Sequence, residues 1–364
     1  MHNDAGPLPL QNIHYVKKKV VIVDDSRTIR GLLRIVLEQD SRLEVVGEAD
    51  SAATAREVIK QTDPDVITLD IEMPGMNGLA FLEKLMLLHP MPVVMISSTT
   101  QSNSEATITA LSLGAVDCIL KLTSAADEGA CREISRRVFS AACSTVQVLS
   151  KAPAIPPSPL SQKAKSMPII LIGASTGGVA ALECVLADLP ANGPPVVIVQ
   201  HMPGAFLVSF SQKLNRQLPQ DVALAREDEL LGYGQIRLAP GLGRHTGVNK
   251  SSGRWRCRFS TPSEGDLHCP SVDALFQSAV PFSRDVVAVI LTGLGRDGAD
   301  GMLNLKQSGA LTLGQDADSS VVYGMPRAAW EAGAVREQLP LSQIGAATNR
   351  AVEEHAKRSR GRDL

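Results

Sequence analysis

The chain has 364 residues, which at roughly 150 residues per domain predicts two folded units. Apolar residues make up 44% and charged residues 20% of the chain, which is typical of folded proteins and excludes a disordered one. Lys and Arg total 36 against 38 Asp and Glu, so the chain lacks the basic excess that nucleic-acid binding requires. No apolar stretch approaches the roughly 20 residues that cross a bilayer, and the six cysteines show no CxxC pair. We expect a cytoplasmic protein with free thiols, without nucleic acid or membrane insertion.

Residues 18–150 alternate short β-branched runs with helical patterns. The predicted strands are 20–23, 43–47, 66–69, 93–96 and 118–120, and the predicted helices are 27–39, 52–61, 79–88, 105–113 and one within 128–149. Nearly continuous apolar strands separated by helices indicate a parallel sheet that is covered on both faces. We therefore predict a doubly wound α/β domain here, preceded by a flexible segment at 1–17.

A polar stretch at 151–166 contains four prolines, a composition typical of an extended linker. A second alternation of strands and helices begins after it, with strands expected at 169–172, 196–199, 236–239 and 286–291. The segment 226–259, with its glycine-rich turns, fits an antiparallel insertion better than a continued alternation. The sequence thus predicts a second doubly wound α/β domain over 167–350 and a basic tail over 351–364.

Polar side chains end four of the five strands in the first domain. They are Asp24 and Asp25 after the first strand, Asp70 after the third, Ser97 after the fourth and Lys121 after the fifth. Because ligands of open parallel sheets bind at the carboxyl ends of the strands, we expect these groups to meet. Three carboxylates on one edge repel each other unless a cation neutralises them, and oxygen ligands suit Mg²⁺. Taken singly, each of these residues is better explained as a helix cap, a turn residue or a solvated surface residue, and only the joint pattern favours a site.

This ordered pattern, with Asp70 in the sequence DIEMPGMNG, resembles the receiver domain of two-component response regulators over about residues 18–150. The resemblance implies a flavodoxin-like fold, phosphorylation at Asp70 and Mg²⁺ held by Asp24, Asp25 and Asp70. It also implies Ser97 and Lys121 as the hydroxyl and the cation of the switch. The family usually follows the lysine with a cis proline, whereas Leu122 follows Lys121 here, so we expect a different local backbone.

The second domain begins with the turn Gly173-Ala-Ser175-Thr-Gly-Gly178 between an apolar strand and a helical pattern. A Gly-x-Ser-x-Gly turn raises a serine hydroxyl above the sheet edge, next to the amides of a helix N-terminus. Two alternatives share the same letters: Ser175 caps the helix, or the glycines cradle a dinucleotide phosphate. The spacing differs from GxGxxG, which counts against the dinucleotide.

Two further strand ends carry residues that complete a nucleophilic site. His201 follows the strand at 196–199, and Asp297 follows the most apolar strand of the domain, in the sequence LTGLGRDG. A base and a carboxylate that orients it are the groups a serine nucleophile needs. The chain order Ser, His, Asp differs from the order in α/β-hydrolases, trypsin-like and subtilisin-like enzymes.

Several blocks in this domain resemble the chemotaxis protein-glutamate methylesterases over about residues 167–339. They are GASTGG (173–178), QHMP (200–203), APG (239–241) with His245, PSVD (270–273), LTGLGRDG (291–298) and GMP (324–326). The resemblance implies a Rossmann-like three-layer fold and a serine hydrolase that removes γ-methyl esters from chemoreceptor glutamates, with some members also deamidating glutamines. It implies Ser175 as nucleophile, His201 as base and Asp297 as its orienting acid, with no cofactor for hydrolysis.

The same resemblance points to the backbone amides of Thr176 and Leu294 as an oxyanion hole, although Leu294 replaces a methionine. It further implies chemoreceptors as substrates, a histidine kinase as phosphoryl donor and an unmodified receiver that covers the esterase cleft. Two rival classes remain: an inactive module that only docks receptors, and an oxidoreductase built on the glycine-rich turn.

Overall fold

A computed structural model describes residues 16–73, 77–98, 100–122, 124, 126–144 and 167–360. The Pro-rich segment 151–166 lies outside the described residues, as do residues 1–15 and 361–364, which include most of the expected N-terminal segment and the end of the expected tail.

The N-terminal unit alternates strands with helices, as the sequence predicts. Its elements are β1 (Lys18–Val23), α1 (Arg27–Glu38), β2 (Leu43–Ala49), α2 (Ala52–Thr62), β3 (Val66–Asp70), α3 (Gly78–Leu88), β4 (Val93–Ser97), α4 (Gln101–Ser112), β5 (Asp117–Leu120) and α5 (Glu128–Ala142). The strands form one parallel sheet in the order β2-β1-β3-β4-β5. Every residue of β3 and β4 is buried, which fits a sheet with helices on both faces. The predicted doubly wound fold is confirmed.

Short polar residues begin the helices of this unit at the carboxyl ends of the strands. Ser26, Ser51 and Asn77 each accept a hydrogen bond from the amide three residues later. These caps satisfy amides that the first helical turn leaves without a partner. They place the beginning of each helix, and the polar loop before it, at one edge of the sheet.

The C-terminal unit contains a larger parallel sheet and a small antiparallel one. Its elements are β6 (Ile169–Ala174), α6 (Gly178–Ala187), β7 (Val196–Gln200), α7 (Gly204–Gln217), β8 (Asp221–Leu224), β9 (Leu230–Leu231), β10 (Gln235–Leu238), β11 (His245–Ser251), β12 (Arg254–Ser260), α8 (Val272–Ser278), a 3-10 helix (Val280–Asp285), β13 (Val286–Ile290), α9 (Ala299–Gln307), β14 (Leu311–Gln315), α10 (Met325–Glu331), β15 (Glu337–Leu339) and α11 (Leu341–Arg360).

The seven strands of the larger sheet are parallel and lie in the order β15-β14-β13-β6-β7-β10-β8. The chain builds outward from β6 on one side and returns to β13 on the other, so the strand order reverses between β6 and β13. Such a reversal opens a crevice at the carboxyl ends of the strands. The strands β11, β12 and β9 form the antiparallel insertion that the sequence predicts.

The two units share buried apolar contacts, in which α4 packs against α6 and α7. At the end of the chain, α11 continues to Arg360, past residue 350 where the expected tail begins. Leu122 packs at the edge of the core of the N-terminal unit with a trans peptide bond before it, and the cis bond found among the described residues joins Cys269 to Pro270. None of the helices in the described part of the chain combines the length and the apolar character needed to span a membrane.

Candidate active site

Three neighbouring strands of the larger sheet bring the predicted nucleophile, base and acid to one edge. Ser175 directly follows β6, His201 directly follows β7, and Asp297 lies in the turn between β13 and α9. Since β13, β6 and β7 are adjacent, all three residues lie at the reversal of strand order. Ser175 and His201 line the same cavity of about 200 Å³.

A tight turn after β6 presents Ser175. Gly177 has a φ of +77°, and a Cβ there would lie 2.6 Å from Val321, so the turn requires glycine. Gly178 leaves room for Gln200, whose Nε2 donates to the carbonyl of Ser175 at 2.8 Å. The amide of Ser175 donates to the carbonyl of Thr292 at 3.0 Å, which ties the turn to the loop after β13.

Nε2 of His201 lies 2.8 Å from Oδ2 of Asp297. Asp297 is buried and also accepts from Ser271 Oγ and from the amides of Val272 and Asp273, at 2.7–2.9 Å. Burial by itself raises the pKa of Asp297, but the hydrogen bond and charge of His201, together with the two amides, hold that pKa well below its ordinary value. A carboxylate only accepts, so Nε2 of His201 carries the proton and Nδ1 is free for a second partner.

Two backbone amides near Ser175 have no hydrogen-bond partner among the described residues. They belong to Thr176, the residue after the serine, and to Leu294, in the loop after β13. Both residues line the same cavity as Ser175. Buried or half-buried amides of this kind are normally paired, so two free ones beside a serine fit a site that receives an oxyanion. The Ser175 hydroxyl has no hydrogen bond among these residues either, as is common in enzymes without substrate.

Two further histidines lie around this site. The ring of His268 stacks on the ring of His201, with centroids 4.5 Å apart and planes inclined by 21°. His245 is buried at the start of β11 and bonds to Asp266 through Nε2 at 2.9 Å. Its Nδ1 accepts from the amide of Ser271 at 3.1 Å, next to the group of donors around Asp297.

The polar strand ends of the N-terminal sheet also converge. Carboxylate oxygens of Asp24, Asp25 and Asp70 lie within 4.8 Å of one another. Nζ of Lys121 is 2.7 Å from Oδ2 of Asp70 and 3.3 Å from Oδ2 of Asp24. The hydroxyl of Ser97 is buried at this edge but donates to the carbonyl of Ser98 rather than to this group.

Burial raises the pKa of Asp70, and the neighbouring charge of Asp24 raises it further. The hydrogen bond from Lys121 acts in the opposite direction but does not outweigh them. The buried Oδ2 of Asp24 has its ion pair with Lys121 but accepts no hydrogen bond of ordinary geometry from the described groups. An edge with three carboxylates and a single ammonium fits a hard divalent cation such as Mg²⁺.

Comparison with known proteins places this architecture in one family. A sequence model described as CheB methylesterase matches residues 170–348, and one described as response regulator receiver domain matches residues 20–128. The protein-glutamate methylesterase/protein-glutamine glutaminase of Rhizobium etli is 47% identical over 329 residues, which cover 90% of this chain and 94% of that protein. This chain belongs to that family.

A second relative in this methylesterase family, protein 1 of the same description from Caulobacter vibrioides, is 48% identical over 334 residues and matches 90% of this chain and 96% of its own. The crystal structure of a Thermotoga maritima CheB methylesterase catalytic domain has 32% sequence identity and a TM-score of 0.49, covering 52% of this chain and 99% of that one.

In this methylesterase the receiver directly contacts the turn that presents Ser175, which we call the nucleophile turn after the predicted role of Ser175. Oδ2 of Asp117, at the start of β5, accepts from the hydroxyl of Thr176 at 2.8 Å. The carbonyl of Val116 accepts from the amide of Gly177 at 3.0 Å. Arg137 of α5 holds Asp117 through both of its carboxylate oxygens.

The receiver also forms one wall of the cavity that contains Ser175. Three charged residues of α5 line it: Glu133, Arg136 and Arg137. Further along the interface, Ser112 of α4 donates to Glu183 of α6 at 3.0 Å, and Lys213 of α7 pairs with Glu183 at 2.7 Å. Charged side chains of the receiver therefore face the cavity that contains Ser175.

Sequence reasoning named the residues at the strand ends but missed those that support them. Gln200 lies in the block QHMP and Thr292 in the block LTGLGRDG, yet nothing in their spacing indicated contact with the turn that presents Ser175. Ser271 belongs to the PSVD block, which was an available signal for the residues around Asp297. His268 stands two residues before that block, and no periodicity marks it.

Proposed function

We propose that this protein hydrolyses γ-methyl esters of glutamate side chains on chemoreceptors, with Ser175, His201 and Asp297 as its catalytic residues. The observation that carries this proposal is the 2.8 Å contact between Nε2 of His201 and Asp297, on the strand next to the one that presents Ser175. The named activity of the relatives supports the same reaction and adds glutamine deamidation as a second one.

In the first half of the reaction, Nδ1 of His201 takes the proton of the Ser175 hydroxyl as Oγ attacks the ester carbonyl. Asp297 keeps the proton on Nε2 and stabilises the imidazolium that forms. The carbonyl oxygen becomes an oxyanion, which the amides of Thr176 and Leu294 receive. Each such amide donor lowers the barrier by about 3 kcal/mol in comparable sites.

In the second half, His201 returns its proton to the leaving methoxide, and methanol departs from the acyl-enzyme. Water then attacks the acyl carbonyl while His201 accepts its proton. As the second tetrahedral intermediate collapses, His201 returns that proton to Oγ of Ser175, and the glutamate side chain leaves and loses its acid proton to solvent. A glutamine side chain follows the same route with ammonia as the leaving group. No cofactor enters either half.

The receiver regulates this site through phosphorylation of Asp70, with a chemotaxis histidine kinase as the phosphoryl donor. Asp24, Asp25 and Asp70 hold Mg²⁺, which supplies positive charge against the three carboxylates and the phosphoryl group. Lys121 binds phosphoryl oxygens, and Ser97 is the hydroxyl that follows the change of charge. The strand β5 links the two sites, since Lys121 follows its last residue and Asp117 is its first.

In the unphosphorylated state, the contacts of Asp117 and Val116 with the nucleophile turn keep the receiver over the cavity. When a phosphoryl group draws Lys121 away from Asp70, β5 moves and these contacts weaken. The receiver thus lowers the activity of the unphosphorylated protein through hydrogen bonds to Thr176 and Gly177, next to Ser175, and not only by obstructing the cavity.

The test is methanol release from methylated chemoreceptor membranes, comparing the wild-type protein with Ser175→Ala, each with and without a small phosphoryl donor and Mg²⁺. We expect release that needs Ser175 and rises with the donor. Release that persists in Ser175→Ala contradicts the nucleophile, and release indifferent to the donor contradicts the switch.

A further inference from the structure

The general base has a neighbour that the reaction itself does not require. His268 lies in the segment 261–270, which joins β12 to α8 without a strand or helix of its own. Its ring covers one face of the His201 ring, 4.5 Å away and within 21° of parallel. Aromatic rings at this distance attract each other and restrict each other's orientation.

The Asp297 contact alone leaves the ring of His201 poorly fixed. Rotation about the bond from Cβ to the ring is a soft, broad torsion in histidine. Nε2, which Asp297 holds, lies closer to that axis than Nδ1 does, so a given rotation moves Nδ1 through a wider arc. Nδ1 is the atom that must meet the Ser175 hydroxyl, and a flat neighbour on the ring face restrains this rotation.

A second histidine holds the segment that carries His268. His245 is 4% exposed, and its Nε2 lies 2.9 Å from Oδ2 of Asp266. The same oxygen of Asp266 accepts from the amide of Ser263 at 2.7 Å, within the segment. Nδ1 of His245 accepts from the amide of Ser271, which begins α8. One buried ring therefore anchors both the middle and the end of the segment.

The surroundings of His268 disfavour a positive charge on its ring. Burial lowers its pKa, and so does the charge of the adjacent His201, while Asp297 raises it; Arg136 and Glu133 of α5 act in opposite directions. Two stacked imidazolium rings would repel each other. A neutral His268 therefore lets His201 accept the proton of Ser175.

We infer that His268 is a positioning residue that sets the ring plane of His201, and that the His245–Asp266 contact holds it there. This inference rests on the proposed roles of Ser175 and His201. His245, which is buried, and the segment 261–270, which lies outside the strand ends, both thereby help to position the general base.

The experiment measures kcat and KM for methanol release by the full chain, activated with phosphoryl donor and Mg²⁺. His268→Ala removes the stacked ring, and we expect kcat to fall about ten-fold with KM within about two-fold, because the substrate still binds but the base is misaligned. His268→Phe keeps a flat ring without a titratable nitrogen, and we expect it to restore kcat to within about three-fold of wild type.

The role of the His245–Asp266 contact as a tether for His268 is tested with Asp266→Ala alone and together with His268→Ala. If Asp266 acts through His268, its substitution lowers kcat in the wild-type background and adds nothing in the His268→Ala background. Glu264→Ala is the matched control, since this exposed carboxylate lies in the same segment without a partner among the described residues.

The outcomes separate this inference from the proposed function. Activity that survives Ser175→Ala contradicts the proposed nucleophile, whatever His268 does. Activity that needs Ser175 but is unchanged in His268→Ala overturns the positioning role, and so does a Phe variant as slow as the Ala variant. Additive losses for Asp266 and His268 overturn the tether. Thermal unfolding of each variant shows whether it has folded.

Discussion

Asp70 and Asp297 are both buried aspartates at the carboxyl edge of a parallel sheet, yet their surroundings give them opposite properties. Burial raises the pKa of each. Asp70 has the Lys121 ammonium and one amide as donors, at 2.7 and 3.3 Å, and faces Asp24, so its pKa stays raised. Asp297 has His201, Ser271 Oγ and two amides, which bring its pKa below the ordinary value.

The number of donors thus distinguishes the carboxylate proposed to react, Asp70, from the one proposed to orient an imidazole, Asp297. A carboxylate with few donors keeps free electron pairs and an unfavourable charge, which suits an attack on a phosphoryl group in the presence of a cation. A carboxylate whose oxygens are all engaged has a fixed position and charge, which suits holding an imidazole.

The largest effect is expected from Asp297→Asn. An amide of the same shape would favour the wrong tautomer of His201, so we expect kcat for methanol release to fall about 10⁴-fold. The control is Asp300→Asn, which alters an exposed carboxylate in the first turn of α9 that pairs with Arg296. Equal losses in both variants would mean that the charge of this turn matters rather than the contact with His201.

The next effect concerns the carboxylate with few donors. Asp70→Asn removes the oxygen atom that we propose attacks the phosphoryl donor, so we expect the rate of methanol release with donor and Mg²⁺ to equal the rate without them. Asp50→Asn is the control, because Asp50 is an exposed aspartate that follows β2 in the same sheet. A donor response that survives in Asp70→Asn would place the phosphoryl acceptor elsewhere.

A smaller effect is expected where the receiver touches the nucleophile turn. Thr176→Val removes the hydrogen bond to Asp117 but keeps the backbone amide, so we expect the unphosphorylated rate to rise about five-fold. Thr246→Val is the control, since the Thr246 hydroxyl is buried without a partner in the described chain. If the basal rate of Thr176→Val does not rise, this contact does not contribute to masking.

The smallest effect is on stability. Because the folded state lowers the pKa of Asp297, this carboxylate stabilises the fold above its unfolded pKa of about 3.9, and the stabilisation disappears as the pH falls through the lower, folded pKa. We expect wild type to have a larger free energy of unfolding than Asp297→Asn at pH 7, with the gap narrowing below pH of about 4. Denaturant unfolding at both pH values checks this, and a gap independent of pH would argue against a charged Asp297.

The predicted fold was correct in both units because apolar runs in the sequence mark the strands. Strands such as β3 and β4 are mostly apolar and are buried at every position, which only a sheet covered on both faces provides. The residues at the strand ends followed from the same rule, since the carboxyl edge of such a sheet collects whatever polar residues end its strands. The grouping of Ser175, His201 and Asp297 could be predicted from their positions after predicted strands, without knowledge of any contact between distant parts of the chain.

The residues that support the site could not be predicted, because their contacts depend on tertiary packing and not on a local pattern in the sequence. His268 meets His201, and Gln200 meets the turn of Ser175, through packing between loops with no periodic pattern. The contact between Asp117 and Thr176 joins two domains, and no local preference of either residue indicates the other. For Ser97, the sequence predicted the position at the end of a strand but did not indicate that its hydroxyl donates to the carbonyl of Ser98.

The sequence by itself determined two parallel sheets, the polar residues at their strand ends, and the family resemblance that the comparisons bear out, because hydrophobic runs and strand-end residues are local properties of the chain. Only the tertiary structure decided which strands are neighbours, how many donors each buried carboxylate receives, and that α5 of the receiver lies over Ser175. These depend on contacts between residues far apart in sequence, whose free energy is set by packing and by the exclusion of water.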